Sequence, residues 1–375
     1  MKQNLRNLTI KEMQELAVEL GEKPYRGKQV FQWISRGAES FDEMTDLPKG
    51  FRQKLSDAAE IGLLEVLDVQ EDPSDGTRKF LFGLSDPAGA VDPSDPVDMT
   101  GGAGESGAAT PAGAGLAIES VFMKYSYGNT LCVSSQVGCK MGCSFCASAL
   151  GGFFRDLTAG EMIAQVMEAE RQTGEKIDHI VVMGMGEPFD NYENLSRFLM
   201  LLHEPAGRNM SWRHITVSTS GIIPKIEQFG DDFPQVNLAI SLHRANDAAR
   251  SKLMPVNRRY PLKNLLEAAR AHTVKTGRRI TFEYALIRGE NDRPEDINAL
   301  IRSLRGMLCL VNLIPLNEVK ETGLTGSSRK RAEEVAAQLE AAGITATVRR
   351  ELGSEIDGAC GQLRLRRGNC QKNHR

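Results

Sequence analysis

The sequence predicts an α/β fold, in which an open, partial barrel of about six β/α units follows an N-terminal helical domain. From about residue 130 onward, short apolar runs alternate with amphipathic helical patterns, as in right-handed parallel β/α units. Residues 1–60 instead contain helical patterns alone. In such barrels, ligands bind at the carboxyl ends of the strands. Polar residues that directly follow a predicted strand are therefore the candidates for a functional site.

The N-terminal domain, residues 1–60, begins with two predicted helices. Thr9 and Glu12 form a capping box, after which apolar residues recur at helical spacing. The segment KPYRGKQVFQWISRG predicts a second helix that ends at Gly37. Basic residues flank this helix, so the domain suits RNA docking. A purely structural accessory explains the same pattern equally well.

Residues 61–125 predict strands that connect this domain to the barrel. The candidates are the runs LLEVLDVQED, RKFLFGLSD and LAIESVFMKY. Between the last two, residues 86–115 are mostly small or polar and cannot bury enough apolar surface to offset their ordering entropy. We expect a disordered loop inserted into a hairpin.

The remaining residues, 126–375, form the predicted barrel and end in a basic tail. Its predicted strands are TLCVSS, HIVVM (179–183), HITVS (214–218), VNLAIS (236–241), RITFEYAL (279–286), LVNLIP (310–315) and TATVR (345–349). Its predicted helices are 161–173, 192–203, 261–276, 294–305 and 328–342. The net charge of −3 indicates no particular partner, and the basic tail suits phosphates as well as it suits solvent.

A Cys-x3-Cys-x2-Cys triplet, formed by Cys139, Cys143 and Cys146, is the most informative motif. Three such thiolates can hold three irons of a [4Fe–4S] cluster and leave the fourth iron open to the amino and carboxylate groups of S-adenosylmethionine (SAM). Phe145 would shield one side of the cluster. A structural zinc site needs a fourth ligand, and none stands nearby.

The start of the chain bears on the compartment. It contains no apolar signal segment, so we expect the reducing cytosol rather than a disulfide framework. No apolar run is long enough to cross a membrane, and we expect no membrane attachment.

Polar residues follow several predicted strands. GMGEP comes directly after HIVVM, and its Gly186 and Glu187 suit the SAM amino group, although a tight turn with a capping acid explains them too. Ser218, the stretch 241–243 and Asn317 end other strands. Each alone is more often a cap or turn residue. Together, at one barrel mouth, they indicate cofactor contacts.

Four further cysteines stand singly. Cys132 lies on a predicted strand, and Cys360 lies among small residues in IDGACGQLR, which suit a flexible, exposed thiol. Cys309 falls in an apolar strand and is expected to be a core residue. Cys370, in the basic tail, receives no role. From the residues alone, Cys132 and Cys360 would be core thiols by default.

With these motifs in place, the chain resembles the RlmN/Cfr family of SAM-radical RNA adenine methyltransferases. The resemblance runs nearly end to end, through YRGKQVFQWI, IES before LCVSSQVGC, CSFCA, GMGEP, VSTSGIIP, SLH, KLMPVNRRYPL, VNLIPLN and DGACGQL. It implies a partial (β/α)6 radical-SAM barrel with an N-terminal helical domain, in agreement with the strand and helix pattern. It also implies a [4Fe–4S] cluster and SAM as cofactors.

The resemblance implies a mechanism for methylating an electron-poor ring carbon. One SAM methylates Cys360, and a second SAM, cleaved at the cluster, yields a radical that takes a hydrogen atom from this methyl group. The CH2 radical adds to adenine, Glu119 removes the ring proton, and Cys132 releases the product through a transient disulfide with Cys360. SAM contacts are implied for Gly186, Glu187, Ser218, Ser241, Leu242, His243 and Asn317.

The same resemblance implies 23S rRNA and tRNA as substrates, together with a low-potential electron donor of flavodoxin type. We expect a cytoplasmic monomer. Pro188 and TLCVSSQVGC favour carbon 2 of adenine, and carbon 8 is the alternative. A radical SAM enzyme with a different reaction stays an open alternative. Auxiliary iron–sulfur clusters would favour it, but the other cysteines are scattered singly. A non-catalytic iron–sulfur RNA-binding protein would not need Cys132, Cys360 and Glu119.

Overall fold

The computed structural model describes residues 2–84, 116–350, 352, 353 and 356. The expected disordered loop at 86–115 therefore lies outside the described residues, as do Cys360 and Cys370. The division of the chain into domains at residues 60 and 125 stays a prediction.

The N-terminal part is helical, as predicted. Its elements are β1 (Gln3–Asn4), α1 (Ile10–Glu19), α2 (Pro24–Ser35), α3 (Lys49–Ala58) and β2 (Ala59–Glu60), with β1 parallel to β2. The capping box is present, because the Thr9 and Glu12 side chains each accept a hydrogen bond from the other's backbone N–H. Gly27 lets α2 cross close to α1, since a Cβ there would lie 2.3 Å from the Met13 carbonyl oxygen.

A ten-stranded sheet forms the centre of the molecule. Its strands, in chain order, are β3 (Glu65–Glu71), β4 (Arg78–Gly83), β5 (Ala117–Tyr125), β6 (Gly128–Cys132), β9 (His179–Val182), β10 (Ile215–Thr219), β11 (Asn237–Ser241), β12 (Ile280–Leu286), β13 (Cys309–Pro315) and β14 (Thr345–Val348). Across the sheet they follow the order β14-β13-β12-β11-β10-β9-β6-β5-β4-β3. Strands β6 and β9 to β14 are parallel, whereas β3 to β6 are antiparallel. The predicted hairpin of β4 and β5 is confirmed.

Two strands, β7 (Gln136–Gly138) and β8 (Phe153–Asp156), form a separate antiparallel pair. The helices of this region are α4 (Ala147–Leu150), α5 (Ala159–Thr173), α6 (Tyr192–His203), α7 (Ile223–Asp232), α8 (Asp247–Leu253), α9 (Leu262–Thr276), α10 (Pro294–Leu304) and α11 (Arg329–Ala341). In the described residues, six β/α units precede β14, which confirms the partial (β/α)6 barrel. Helices α4, α7 and α8 were not predicted.

The two faces of the sheet differ. Residues opposite each other on neighbouring strands point to the same face. One face, with Ile180, Val182 and Val217, is fully buried, and on β5 its Ser120 donates a hydrogen bond to Gln165 of α5 at 2.7 Å. The other face is only partly covered along the parallel strands, at Ser218 and its neighbours. The helices therefore cover one face and leave the other to line the barrel interior.

Within the described residues, no helix combines the length and the hydrophobicity that crossing a bilayer requires.

Candidate active site

The three cysteines of the triplet lie on the loop that joins β7 to β8. Hydrogen bonds fix this loop at both ends and in the middle. The Cys139 N–H donates to the Gly152 carbonyl at 2.9 Å, next to β8. The Ser144 N–H donates to the carbonyl of Leu253, the last residue of α8, at 3.0 Å. The loop is thereby attached to the carboxyl-end rim of the barrel.

One cavity brings the triplet together with the residues that follow the parallel strands. The predicted residues that line it are Cys139, Cys143, Cys146, Gly186, Glu187, Ser218, Ser241, His243 and Asn317. Leu242 is instead fully buried, and its carbonyl accepts a hydrogen bond from Arg250 Nε at 3.1 Å. The implied contact of Leu242 with SAM stays a prediction.

The GMGEP turn between β9 and α6 packs tightly. Gly186 has a φ of +102°, and a Cβ there would lie 2.6 Å from Gln136 Cβ, so the position requires glycine. The buried Glu187 carboxylate accepts hydrogen bonds from the Ser220 N–H at 2.7 Å and the Phe189 N–H at 3.0 Å. Burial raises the pKa of this carboxyl group. Glu187 thus ties the end of β9 to the end of β10.

His243 performs the same task between β11 and β12. Its Nδ1 accepts a hydrogen bond from the Ala285 N–H at 2.9 Å, which assigns the ring proton to Nε2. Burial, assisted by the charge of Arg250, lowers the pKa of His243 to about 3, so the ring is neutral at pH 7. The residue has a left-handed φ of +54°, and Phe145 meets its ring edge-on at 4.8 Å. The loop that carries the cysteine triplet and the end of β11 are therefore in direct contact.

Arg250, on α8, is a central residue that the sequence analysis missed. Its side chain is fully buried, and its guanidinium donates to the carbonyls of Ser220 at 2.7 Å, Ser241 at 2.9 Å and Leu242. A fourth bond reaches Asn257 Oδ1 at 2.8 Å. Burial lowers the pKa of Arg250 to about 10, so it stays a cation at pH 7. It joins the end of β10 to the end of β11 and places a positive charge near Cys143.

Glu283 and Arg349 also line the cavity and were missed. Glu283 is buried on β12, and Asn312 Nδ2 donates a hydrogen bond to its carboxylate at 2.8 Å. Burial raises the pKa of Glu283, and the charge of Arg349 acts in the opposite direction. The sequence offered one signal for Glu283, because a glutamate inside the apolar predicted strand RITFEYAL indicates a buried, functional carboxyl group.

Comparisons with known proteins agree with this geometry. Residues 3–61 match the ribosomal RNA large subunit methyltransferase N-terminal domain, and residues 133–302 match the radical SAM superfamily. A probable dual-specificity RNA methyltransferase RlmN from Caldanaerobacter subterraneus subsp. tengcongensis is 48% identical over 362 residues, which cover 96% of this chain and 97% of the relative. A protein of the same name from Thermoanaerobacter sp. (strain X514) is 46% identical with the same coverage.

The chain belongs to the RlmN family. It is a radical SAM RNA methyltransferase. Among solved structures, a radical SAM methyltransferase from Sphaerobacter thermophilus superposes with a TM-score of 0.86 at 42% identity and covers 96% of this chain and 99% of that one.

The donor set of this RlmN-family chain fits an iron–sulfur cluster. Burial raises the pKa of Cys139 to about 12 and that of Cys143 well above its usual value, and the nearby Cys146 raises both further. Such thiols bind a metal only by losing protons, so loading releases protons. No three ligating side chains in the described part of the chain converge on a single ion. A cluster instead takes one thiolate on each of several irons.

Glu119 and Cys132 lie on β5 and β6, both about 95% buried. Cys132 is opposite Val121, and Glu119 is two residues from Val121 along β5, so both side chains point to the same face. Cys132 is also opposite Val181 on β9, and Val181 is opposite Thr216 on β10. Thr216 lies two residues before Ser218, which lines the cavity, and so points to the same face as Ser218. Glu119 and Cys132 therefore share the interior face of the barrel with the cavity.

The cysteines outside the triplet are placed as follows. Cys309 is buried on β13, as expected for a core residue. No disulfide joins two of the described cysteines. The expected partner of Cys132, Cys360, lies outside the described residues, so their transient disulfide stays a prediction.

Proposed function

We propose that this enzyme methylates carbon 2 of adenine in 23S rRNA and tRNA, with the methyl group carried on Cys360. One observation carries the proposal: the triplet and the strand ends share a cavity, and Glu119 and Cys132 share the sheet face that leads to it. The named relatives are dual-specificity RNA methyltransferases, which supports two kinds of RNA substrate.

We assign Cys139, Cys143 and Cys146 to a [4Fe–4S] cluster and the ends of β9 to β13 to SAM. When bound, these groups supply a 5′-deoxyadenosyl radical. The chain contributes a pre-arranged set of polar groups. The Glu187 carboxylate accepts hydrogen bonds from two backbone N–H groups, which fix the GMGEP turn, and it has further acceptor positions for the SAM amino group. His243 offers its Nε2–H, because its Nδ1 is already an acceptor.

The proposed catalytic roles belong to three side chains. Cys360 is the nucleophile that accepts a methyl group, and Glu119 is the base that takes the ring proton. Cys132 attacks the sulfur of Cys360 as a thiolate and forms a disulfide with it. The bond between that sulfur and the RNA-bound carbon breaks, and this carbon takes up a proton to become the methyl group. The proposal includes a low-potential electron donor of flavodoxin type, and an enzyme that works in the cytoplasm as a monomer.

A trapping experiment tests this division of labour. Protein with Cys132→Ala, purified from cells, should carry covalently bound RNA, because no thiolate is left to attack the crosslinked sulfur. Cys360→Ala should carry none. Cys309→Ala, which removes a buried thiol outside the cavity, is the matched control and should resemble the wild type.

Mass spectrometry of nucleosides then identifies the product. Wild-type enzyme should yield 2-methyladenosine in both rRNA and tRNA. The proposal fails if cluster-loaded Cys132→Ala protein carries no RNA, since both thiols would then be structural. The appearance of 8-methyladenosine would instead show that the enzyme methylates carbon 8.

A further inference from the structure

A buried ion pair lies on the interior face of the sheet, beside the proposed proton acceptor. Lys79 Nζ on β4 lies 3.6 Å from Glu119 Oε1 on β5, and each side chain is only 5% exposed. Burial of a carboxyl group favours its neutral form, whereas a nearby cation favours its ionised form. A buried pair of this kind is weak evidence for a stabilising role, because desolvation offsets most of the attraction.

The strand register shows which way the pair points. Lys79 is opposite Val121, and Val121 is opposite Cys132. Because opposite residues share a face, Lys79, Glu119 and Cys132 form one group on three adjacent strands. The group points into the barrel interior and away from α5, which contacts Ser120 on the other face. The ion pair is therefore placed where substrate chemistry would occur.

Among the described residues of the flanking strands, the charged and titratable side chains on this face near Glu119 are Lys79 on β4 and Cys132 on β6. Asp68 and Glu65 on β3 lie two strands away and are exposed. Lys79 is thus the cation that these strands supply. A base must be ionised before it can take a proton, and a carboxylate buried to this degree needs such a cation.

We propose that Lys79 is the positioning residue of Glu119, which it holds ionised and directed into the barrel interior before the ring proton is transferred. This inference rests on the proposed role of Glu119. When the proton moves from the ring carbon to Glu119, the carboxylate becomes a neutral acid and Lys79 stays a cation. Lys79 does not itself contact the reacting atoms.

Infrared difference spectroscopy of the full-length protein tests the inference without any catalytic turnover. The spectrum of each protein is compared with that of the same protein carrying Glu119→Gln, which isolates the Glu119 carboxyl group. At pH 7, wild type should show a carboxylate band. Lys79→Met should show a protonated carboxylic acid band, and Lys79→Arg should restore the carboxylate.

The rate of RNA methylation by reconstituted holoenzyme gives a second readout. With Lys79→Met, the acid limb of the pH–rate profile should move up by roughly one to three pH units, as expected for loss of an opposite charge within about 4 Å. Lys79→Arg should return the limb toward its wild-type position. Lys124→Met removes a cation that pairs with Glu175 on the surface, and it should change neither the spectrum nor the profile.

Three results would overturn the inference. The first is a protonated carboxylic acid band in wild type at pH 7. The second is a carboxylate band that persists in Lys79→Met, or in Lys79→Gln if the methionine variant does not fold. The third is normal methylation by Glu119→Gln. That result overturns the proposed function of Glu119 itself, and it is distinguishable because the spectra of the Lys79 variants do not depend on activity.

Discussion

Replacing Gly186 with alanine tests the geometry of the GMGEP turn. The φ of +102° is a region that alanine rarely adopts, and holding it there costs roughly 1–3 kcal/mol. The new Cβ would also lie 2.6 Å from Gln136 Cβ, and overpacking of this kind costs roughly 1–3 kcal/mol. Gln136 cannot easily yield, because its side chain donates to Asp156 and Asp190 and accepts from the Glu187 N–H. The two effects together predict a loss of about 2–6 kcal/mol.

The assay is thermal unfolding of the apoprotein, followed by circular dichroism. At about 2 °C for each kcal/mol in a large protein, the midpoint should fall by roughly 4–12 °C. SAM binding to reconstituted protein should weaken as well, because the Glu187 backbone moves with Gln136. Gly50→Ala is the control, since nothing lies within 4 Å of a Cβ in this α3 position. Alanine there should stabilise by about 0.5–1 kcal/mol. Equal midpoints for Gly186→Ala and wild type would refute the reasoning.

Two further predictions concern protons. Because the folded protein keeps the pKa of His243 near 3 while an unfolded chain has the usual value near 6.5, the unfolded state gains protons first as pH falls, and stability is lost from about pH 6.5 down to pH 3. The free energy of unfolding should fall by roughly 2 kcal/mol at pH 5. The fall should be smaller in His243→Asn, since asparagine tolerates the left-handed backbone. Chemical denaturation that gives wild type the same stability at pH 5 as at pH 7 would contradict the prediction. Loading of about four irons should release protons and be more complete at pH 8.5 than at pH 6.5, because the thiols of Cys139 and Cys143 start protonated. Iron assays and pH-stat titration measure this, and a pH-independent iron content, or full loading of Cys143→Ala, would disprove it.

The sequence predicted the barrel and most of the cavity because both follow from local patterns. Strand and helix alternation determines the parallel units, and residues that follow parallel strands must meet at one end. Ser218, Ser241 and Asn317 could be placed in this way without any knowledge of contacts. The triplet was equally local, because ligand spacing within one loop carries its meaning.

What the sequence could not predict depends on contacts between distant residues. Arg250 was indistinguishable from a surface arginine until α8 placed it under the ends of β10 and β11. The pairing of Lys79 with Glu119 depends on the register of β4 and β5, whose strands are separated in the chain by residues 84–116. The resemblance implied Leu242 as a SAM contact, and the sequence did not show that its side chain is fully buried, because burial depends on contacts with distant residues.

The bonds of Arg250 have a consequence for the thermodynamics of ligand binding. Three carbonyls from two strand ends share one guanidinium, so these ends cannot fluctuate independently in the ligand-free protein. The conformational entropy of these two strand ends is lost during folding, so its loss does not oppose the later binding of SAM. Backbone amides at the ends of β10 and β11 should therefore exchange with deuterium as slowly in the free enzyme as in the SAM complex.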